Sequence, residues 1–202
     1  MRLRSRVFSW SRRAGATLAR ALLFWLAINP AIARADQVVV PAELQADLIG
    51  KVAAFDRNFS VRAAGRALVL IVTRAGSAES ELIAGQIARA LRQLPSIGGL
   101  PHSEVTLVFE NAAALAAACR EQHVAIVYLA PELNATLPAI AQALRGVDVL
   151  TVGSSPDDAQ MGTVLSFDLR DSKPRMIVNL AQAKQQNVAF RAAVLTLMRV
   201  VQ

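Results

Sequence analysis

The chain has 202 residues, 54% of them hydrophobic and 18% charged, with a formal net charge of +7. This composition excludes intrinsic disorder, the length suits one domain with its own core, and a single cysteine excludes an intrachain disulfide framework. Seven arginines and no acidic residue precede Asp36, and from Asp36 onward 15 basic and 15 acidic residues cancel, so the body of the chain gives no electrostatic reason to expect nucleic acid as a partner.

Residues 1–35 have the order of an export signal: arginines first, then an apolar run from Ala21 to Ile28, then Asn29-Pro30 and the small-residue site Ala33-Arg34-Ala35. Cleavage is expected between Ala35 and Asp36, which makes the mature protein periplasmic. The apolar run is short of the roughly 20 residues that span a bilayer; an uncleaved anchor is the alternative. Ser11-Arg12-Arg13 is similar to a twin-arginine signal but lacks its usual continuation, so ordinary export is the reading adopted.

Beyond the signal, residues 36–202 read as a single domain. Leu44, Leu48, Ile49, Val52 and Phe55 follow helical spacing after Pro41. Ala67 to Val72 is a continuous apolar run, the mark of a strand buried on both faces. Ser77 can cap a helix from Ala78 to Leu94, which Pro95 stops. Val105–Phe109 is a strand, Asn111 caps an alanine-rich helix to about Arg120, and Val124–Leu129 is another buried strand. Pro131 opens a helix through Leu133, Leu137, Ile140 and Leu144, ended by Gly146, and Val147–Val152 is the next strand. Gly162–Leu169 and Pro174–Leu180, on either side of Asp171-Ser172-Lys173, form a hairpin. A helix around Ala181–Gln186 and another over Ala189–Val201 finish the chain, the last with Phe190, Val194, Leu197, Met198 and Val201 on one face. Alternating strands and helices imply an α/β fold: a three-layer, mainly parallel sheet of about six strands with flanking helices and a carboxyl-terminal β-hairpin plus helix.

Catalytic chemistry is nearly absent from the sequence. Two histidines, His102 and His123, and Cys119 are too few for a His- or Cys-based metal cage, so no metal or cofactor is expected. Cys119 reads as a buried apolar residue, and Asp157-Asp158 as a solvated loop. No nucleophile elbow or phosphate-binding glycine loop follows any strand. Ligands of open α/β sheets bind outside the carboxyl ends of the strands. Those ends are Thr73-Arg74-Ala75-Gly76-Ser77 and Gly153-Ser154-Ser155. Thr73, Arg74, Ser77, Ser154 and Ser155 are therefore the candidate residues for a small anion; the alternative is helix caps with a surface arginine.

A resemblance adds to this. The leader Val40-Pro41-Ala42-Glu43-Leu44-Gln45-Ala46-Asp47-Leu48, the strand Val149-Leu150-Thr151-Val152-Gly153, and the closing runs Arg175–Lys184 and Val194–Val201 follow one another in the order seen in the YfiR-like family. The resemblance covers essentially the whole mature chain and is most specific from about Leu150 onward. It implies a non-enzymatic periplasmic regulator that binds and restrains the periplasmic sensor part of a membrane signalling protein, a diguanylate cyclase in the best-known case. An outer-membrane lipoprotein relieves that restraint. Cyclic di-GMP output would then be set from the periplasm. The sequence leaves a homodimer open. The best-known member has several cysteines and redox-linked disulfides; with Cys119 alone, no intramolecular redox switch carries over. The alternative reading is a small periplasmic solute-binding protein serving a transporter or receptor. Exposed positions on the final helix, or on the helix near Glu43, are candidates for the partner surface.

Overall fold

A computed structural model describes residues 40–201, so the export signal and its cleavage site lie outside the described residues. Helix α1 (Ala42–Ala53) and the short α2 (Phe59–Ala63) precede strand β1 (Ala67–Arg74). The β1 sequence is apolar without alternation because both faces are covered. Val69 and Ile71 join the core that holds Ile49 and Val52 of α1 and Ile87 and Leu91 of α3 (Ala78–Arg92). Leu70 and Val72 join the opposite core with Leu115 and Cys119 of α4 (Ala112–Glu121) and with Leu137 and Ile140 of α5 (Leu137–Ala143). Full burial of each such Leu or Ile contributes on the order of 2 kcal/mol.

The sheet has seven strands in the order β2-β1-β3-β4-β5-β6-β7. β2 (His102–Phe109) lies parallel to β1 on one side, and β3 (Val124–Leu129) parallel to it on the other. The chain thus reverses its direction of winding at β1. β4 (Leu150–Gly153) and β5 (Leu165–Arg170) extend the parallel sheet. β6 (Lys173–Asn179) runs antiparallel to β5 through a two-residue turn in which Asp171 and Ser172 both take positive φ, the backbone that matches a tight hairpin. Between β4 and β5 lies a four-residue helix, α6 (Asp158–Met161), and α7 (Leu180–Gln185) follows β6.

The fold class is the one expected, and the differences are local. The helix expected from Pro131 is a turn, a 3-10 segment over Asn134–Thr136, and then α5. Pro138 has no N–H to bond back along a longer helix but is tolerated in a first turn, so α5 begins at Leu137. Leu133, Leu137, Ile140 and Leu144 are buried all the same. The strand expected from Val147 begins at Leu150, because Val147 and Val149 donate instead to Leu144 and Gln186. Residues 162–164 precede β5 rather than open it; an added Cβ at Gly162 (φ +125) would lie 2.5 Å from the Ala141 Cβ, so only glycine fits this close approach. The helix expected over Ala189–Val201 is instead α8 (Ala192–Leu195) followed by β7 (Met198–Val201), parallel to β6. Met198-Arg199-Val200-Val201 is as good a strand as a helix by residue type, and pairing satisfies the outer backbone groups of β6. Val194 and Met198 are buried, but Leu197 is 70% exposed, which the single helical face did not anticipate.

The amino edge of the sheet is tied by a buried ion pair. Arg62 donates to Asp56 at 2.6 Å, to Asp148 at 3.0 Å and to the Asn187 carbonyl at 3.0 Å. Asp56 also accepts from the backbone of Asn58 and Ala189. The segment before β1, the segment before β4 and the segment before α8 meet there.

Candidate functional site

The opposite, carboxyl edge carries the five residues expected to bind an anion. In the first loop, Thr73 is buried and its hydroxyl donates to the Leu107 carbonyl at 3.4 Å. Ser77 caps α3, accepting from the Ser80 N–H at 3.0 Å, while the Ser80 hydroxyl accepts from the Arg74 N–H at 2.9 Å. Two serines therefore close the β1–α3 turn; Ser80, fully buried, was not singled out from sequence. The Arg74 guanidinium is more than half exposed and reaches to the loop after β3, donating to the Glu132 carbonyl at 3.3 Å with the Glu132 carboxylate at 3.9 Å.

In the second loop, Ser154 and Ser155 face a carboxylate of their own chain. Asp158 accepts from the Ser155 N–H at 2.8 Å, the Ser155 hydroxyl at 3.0 Å, the Ser154 hydroxyl at 3.5 Å and the Asn134 amide at 3.2 Å. Asp157 is exposed, but Asp158 is 3% exposed, which corrects the reading of both as a solvated loop. The turn into α6 carries Asp158 back under the end of β4. Gly153 makes room for it, since an added Cβ there would lie 2.3 Å from the Asp158 Cβ. Burial raises the Asp158 carboxyl above its ordinary value, and the bonds from Ser155 and Ser154 oppose the rise.

The loop between β3 and α5 joins the two halves: Glu132 meets Arg74, and Asn134 meets Asp158. Just inside this edge, the Tyr128 hydroxyl donates to Gln45 at 3.0 Å, and Gln45 donates to the Val40 carbonyl at 2.7 Å. Burial foremost, then the nearby Asp158 charge, pushes the Tyr128 phenol well above its ordinary value. The polar groups of this edge are thus largely occupied by one another. An external anion at Ser154 and Ser155 would meet the Asp158 carboxylate, whereas Arg74 presents its guanidinium to solvent beside Glu132. The isolated glycine at a strand end was the sequence signal for the close approach of Asp158.

The remaining reactive side chains lie elsewhere. His102 opens β2, with Nδ1 against the Glu104 carboxylate and Nε2 against the Leu94 carbonyl. His123 precedes β3 with φ +51. Cys119 is buried in the second core, and burial pushes its thiol up to about 12. Among the described residues, no group of three or more His, Cys, Asp or Glu could hold a metal ion.

A family model described as YfiR/HmsC-like matches residues 42–199. The chain belongs to the YfiR/HmsC-like family. This is a family of periplasmic, non-catalytic proteins that regulate membrane signalling. No curated protein matches the chain. Among solved structures, an ABC domain from Streptococcus pneumonia in complex with L-Trp is similar, with a TM-score of 0.58 and 11% identity over 80% of this chain and 62% of that one. A conserved domain protein from Vibrio cholerae gives 0.53 and 13%, over 80% and 60%. The ligand-free, open CD0873, a substrate binding protein with adhesive properties from Clostridium difficile, gives 0.51 and 8%, over 72% and 57%. The chain spans about three fifths of the length of these structures, and at such identities the likeness is one of fold.

Proposed function

We propose that this YfiR/HmsC-like protein is exported by residues 1–35, is cut between Ala35 and Asp36, and works in the periplasm as one domain, residues 36–202. There it binds and restrains the periplasmic sensor part of a membrane-bound diguanylate cyclase, and an outer-membrane lipoprotein relieves the restraint. The observation that carries this reading is the family match over residues 42–199, which spans nearly all of the described domain. Deleting the gene should raise cyclic di-GMP, and restoring the protein should lower it again. Unchanged cyclic di-GMP in the deletion strain, with the protein demonstrably expressed in the parent, would sink the cyclase reading. Mass spectrometry of the periplasmic protein tests the leader: a mature start at Asp36 is expected, and an intact Met1 start would contradict cleavage.

The second reading, a small solute-binding protein, is favoured by one feature: Arg74 stands exposed where the sheet's winding reverses, between β1 and β3, the usual ligand position in such sheets. On this reading Thr73, Arg74, Ser77, Ser154 and Ser155 form a site for a small acid, Arg74 supplying the charge. Titration calorimetry with small carboxylic acids tests it, and acids that bind Arg74→Ala unchanged would remove the site.

A further inference from the structure

Helices cover both faces of the sheet at β1 and β3, but one face is bare where β5, β6 and β7 end it. Asp168 pairs with Arg175 and Arg170 with Lys173, while Arg199 pairs with Ile177, two positions on from Arg175. Alternation along a strand therefore puts Asp168, Arg170, Lys173, Arg175 and Arg199 on one face. Its inner end is closed, since Ser166 and Asn179 bond to the Pro156 and Ala159 carbonyls and Ile177 is buried. Toward the hairpin turn, all four basic residues are exposed. Arg170 donates to Asp168 at 2.9 Å; among the described residues, Lys173, Arg175 and Arg199 are in no ion pair. Leu197, 70% exposed, stands one residue beyond the Met176–Met198 pair on the side of that turn. The charge is uneven along the chain as well. Asp171, in the turn, is the last acidic residue, and Lys173, Arg175, Lys184, Arg191 and Arg199 follow it.

We infer that this face docks on an anionic phospholipid bilayer, with the basic heads on lipid phosphates and Leu197 in the headgroup layer. Charge complementarity selects the class of partner, since only Asp168 and Asp171 oppose the four cations. The pattern of side chains selects lipid over an acidic protein. Protein interfaces centre on aromatic or arginine anchors seated in packed pockets. This face carries no aromatic residue, and its basic heads stand apart on long stems that can follow a fluid surface. A domain that is neutral overall but polarised in this way is also turned by the field of a charged surface, basic face first. For a protein that regulates membrane signalling, such docking holds it at the bilayer. The inference does not rest on the cyclase reading.

Co-sedimentation with vesicles tests it. The chain from Asp36 onward is used, because it holds every described element and both cores and lacks the seven arginines of residues 1–35. It should bind vesicles of phosphatidylcholine with about one quarter phosphatidylglycerol, let go at roughly molar salt, and ignore phosphatidylcholine alone. Lys173→Gln, Arg175→Gln and Arg199→Gln together should weaken binding roughly tenfold or more. These positions are exposed, so the urea midpoint should not move. Arg89→Gln, Arg92→Gln and Arg120→Gln remove the same charge from exposed helix positions and should leave binding as it was. No binding to the anionic vesicles, equal binding to phosphatidylcholine alone, binding that survives the first triple variant, or equal loss in both triple variants would each overturn the inference.

Discussion

Gly153 and Asp158 form a matched pair. The missing Cβ of one is filled by the carboxylate stem of the other, and the carboxylate then satisfies the loop that follows β4. Gly153→Ala should cost about 2–3 kcal/mol in urea denaturation, as overpacking does. The pH dependence of Asp158 has a definite sign. Its carboxyl is raised in the folded state, so the fold holds that proton more tightly than the unfolded chain does. Stability linked to it is full below the ordinary carboxyl value and is lost as pH rises through the raised one. Wild type should therefore lose ground to Asp158→Asn between acidic and neutral pH when both are unfolded in urea at several pH values; a pH-independent difference would refute this. Cys119 gives a simpler expectation. With its thiol at about 12 and its side chain buried, it should resist a disulfide reagent at neutral pH in the native protein and react on unfolding.

At the scale of elements, two kinds of signal decided what could be read from sequence. Where a continuous apolar run was followed by a capping residue, reading and structure agree closely. β3 spans the residues expected of it, and Ser77 and Asn111 accept the capping bonds foreseen for them. Where apolar spacing stood alone it misled, because helical spacing in residues 190–201 also fits a short helix plus a strand whose partner, β6, lies in tertiary structure. The candidate site was legible as a place, the carboxyl edge of the sheet, but not as chemistry. Adjacent Asp157 and Asp158 point apart only on an extended chain, and a helix start turns one of them inward. Deleting residues 198–202 tests the role of β7: the truncated chain should lose several kcal/mol and aggregate more readily, since β6 becomes an open edge. A final segment that mattered little would unfold at nearly the same urea concentration without it.

At the scale of the molecule, the sheet has its two edges of strand ends put to different uses. The carboxyl edge holds Arg74 and Glu132 at the surface with Asp158 buried, while the amino edge holds the buried pair of Asp56 and Arg62. Breaking that pair with Arg62→Ala leaves Asp56 buried and should cost about 3–5 kcal/mol by calorimetry or denaturation. A loss below about 1 kcal/mol would mean that the backbone donors of Asn58 and Ala189 suffice for Asp56.

That pair also ties together residues that are far apart along the chain. Its first members lie near the start of the domain, yet Arg62 reaches the Asn187 carbonyl across 125 positions and Asp56 reaches the Ala189 N–H across 133. Contacts so distant along the chain form late and slowly. A polypeptide emerging amino end first, from a ribosome or through a membrane pore, holds Asp56 and Arg62 ready long before their partners arrive. The amino edge of the sheet cannot close until Asn187 and Ala189 have emerged, so everything up to β6 must wait for its last tie.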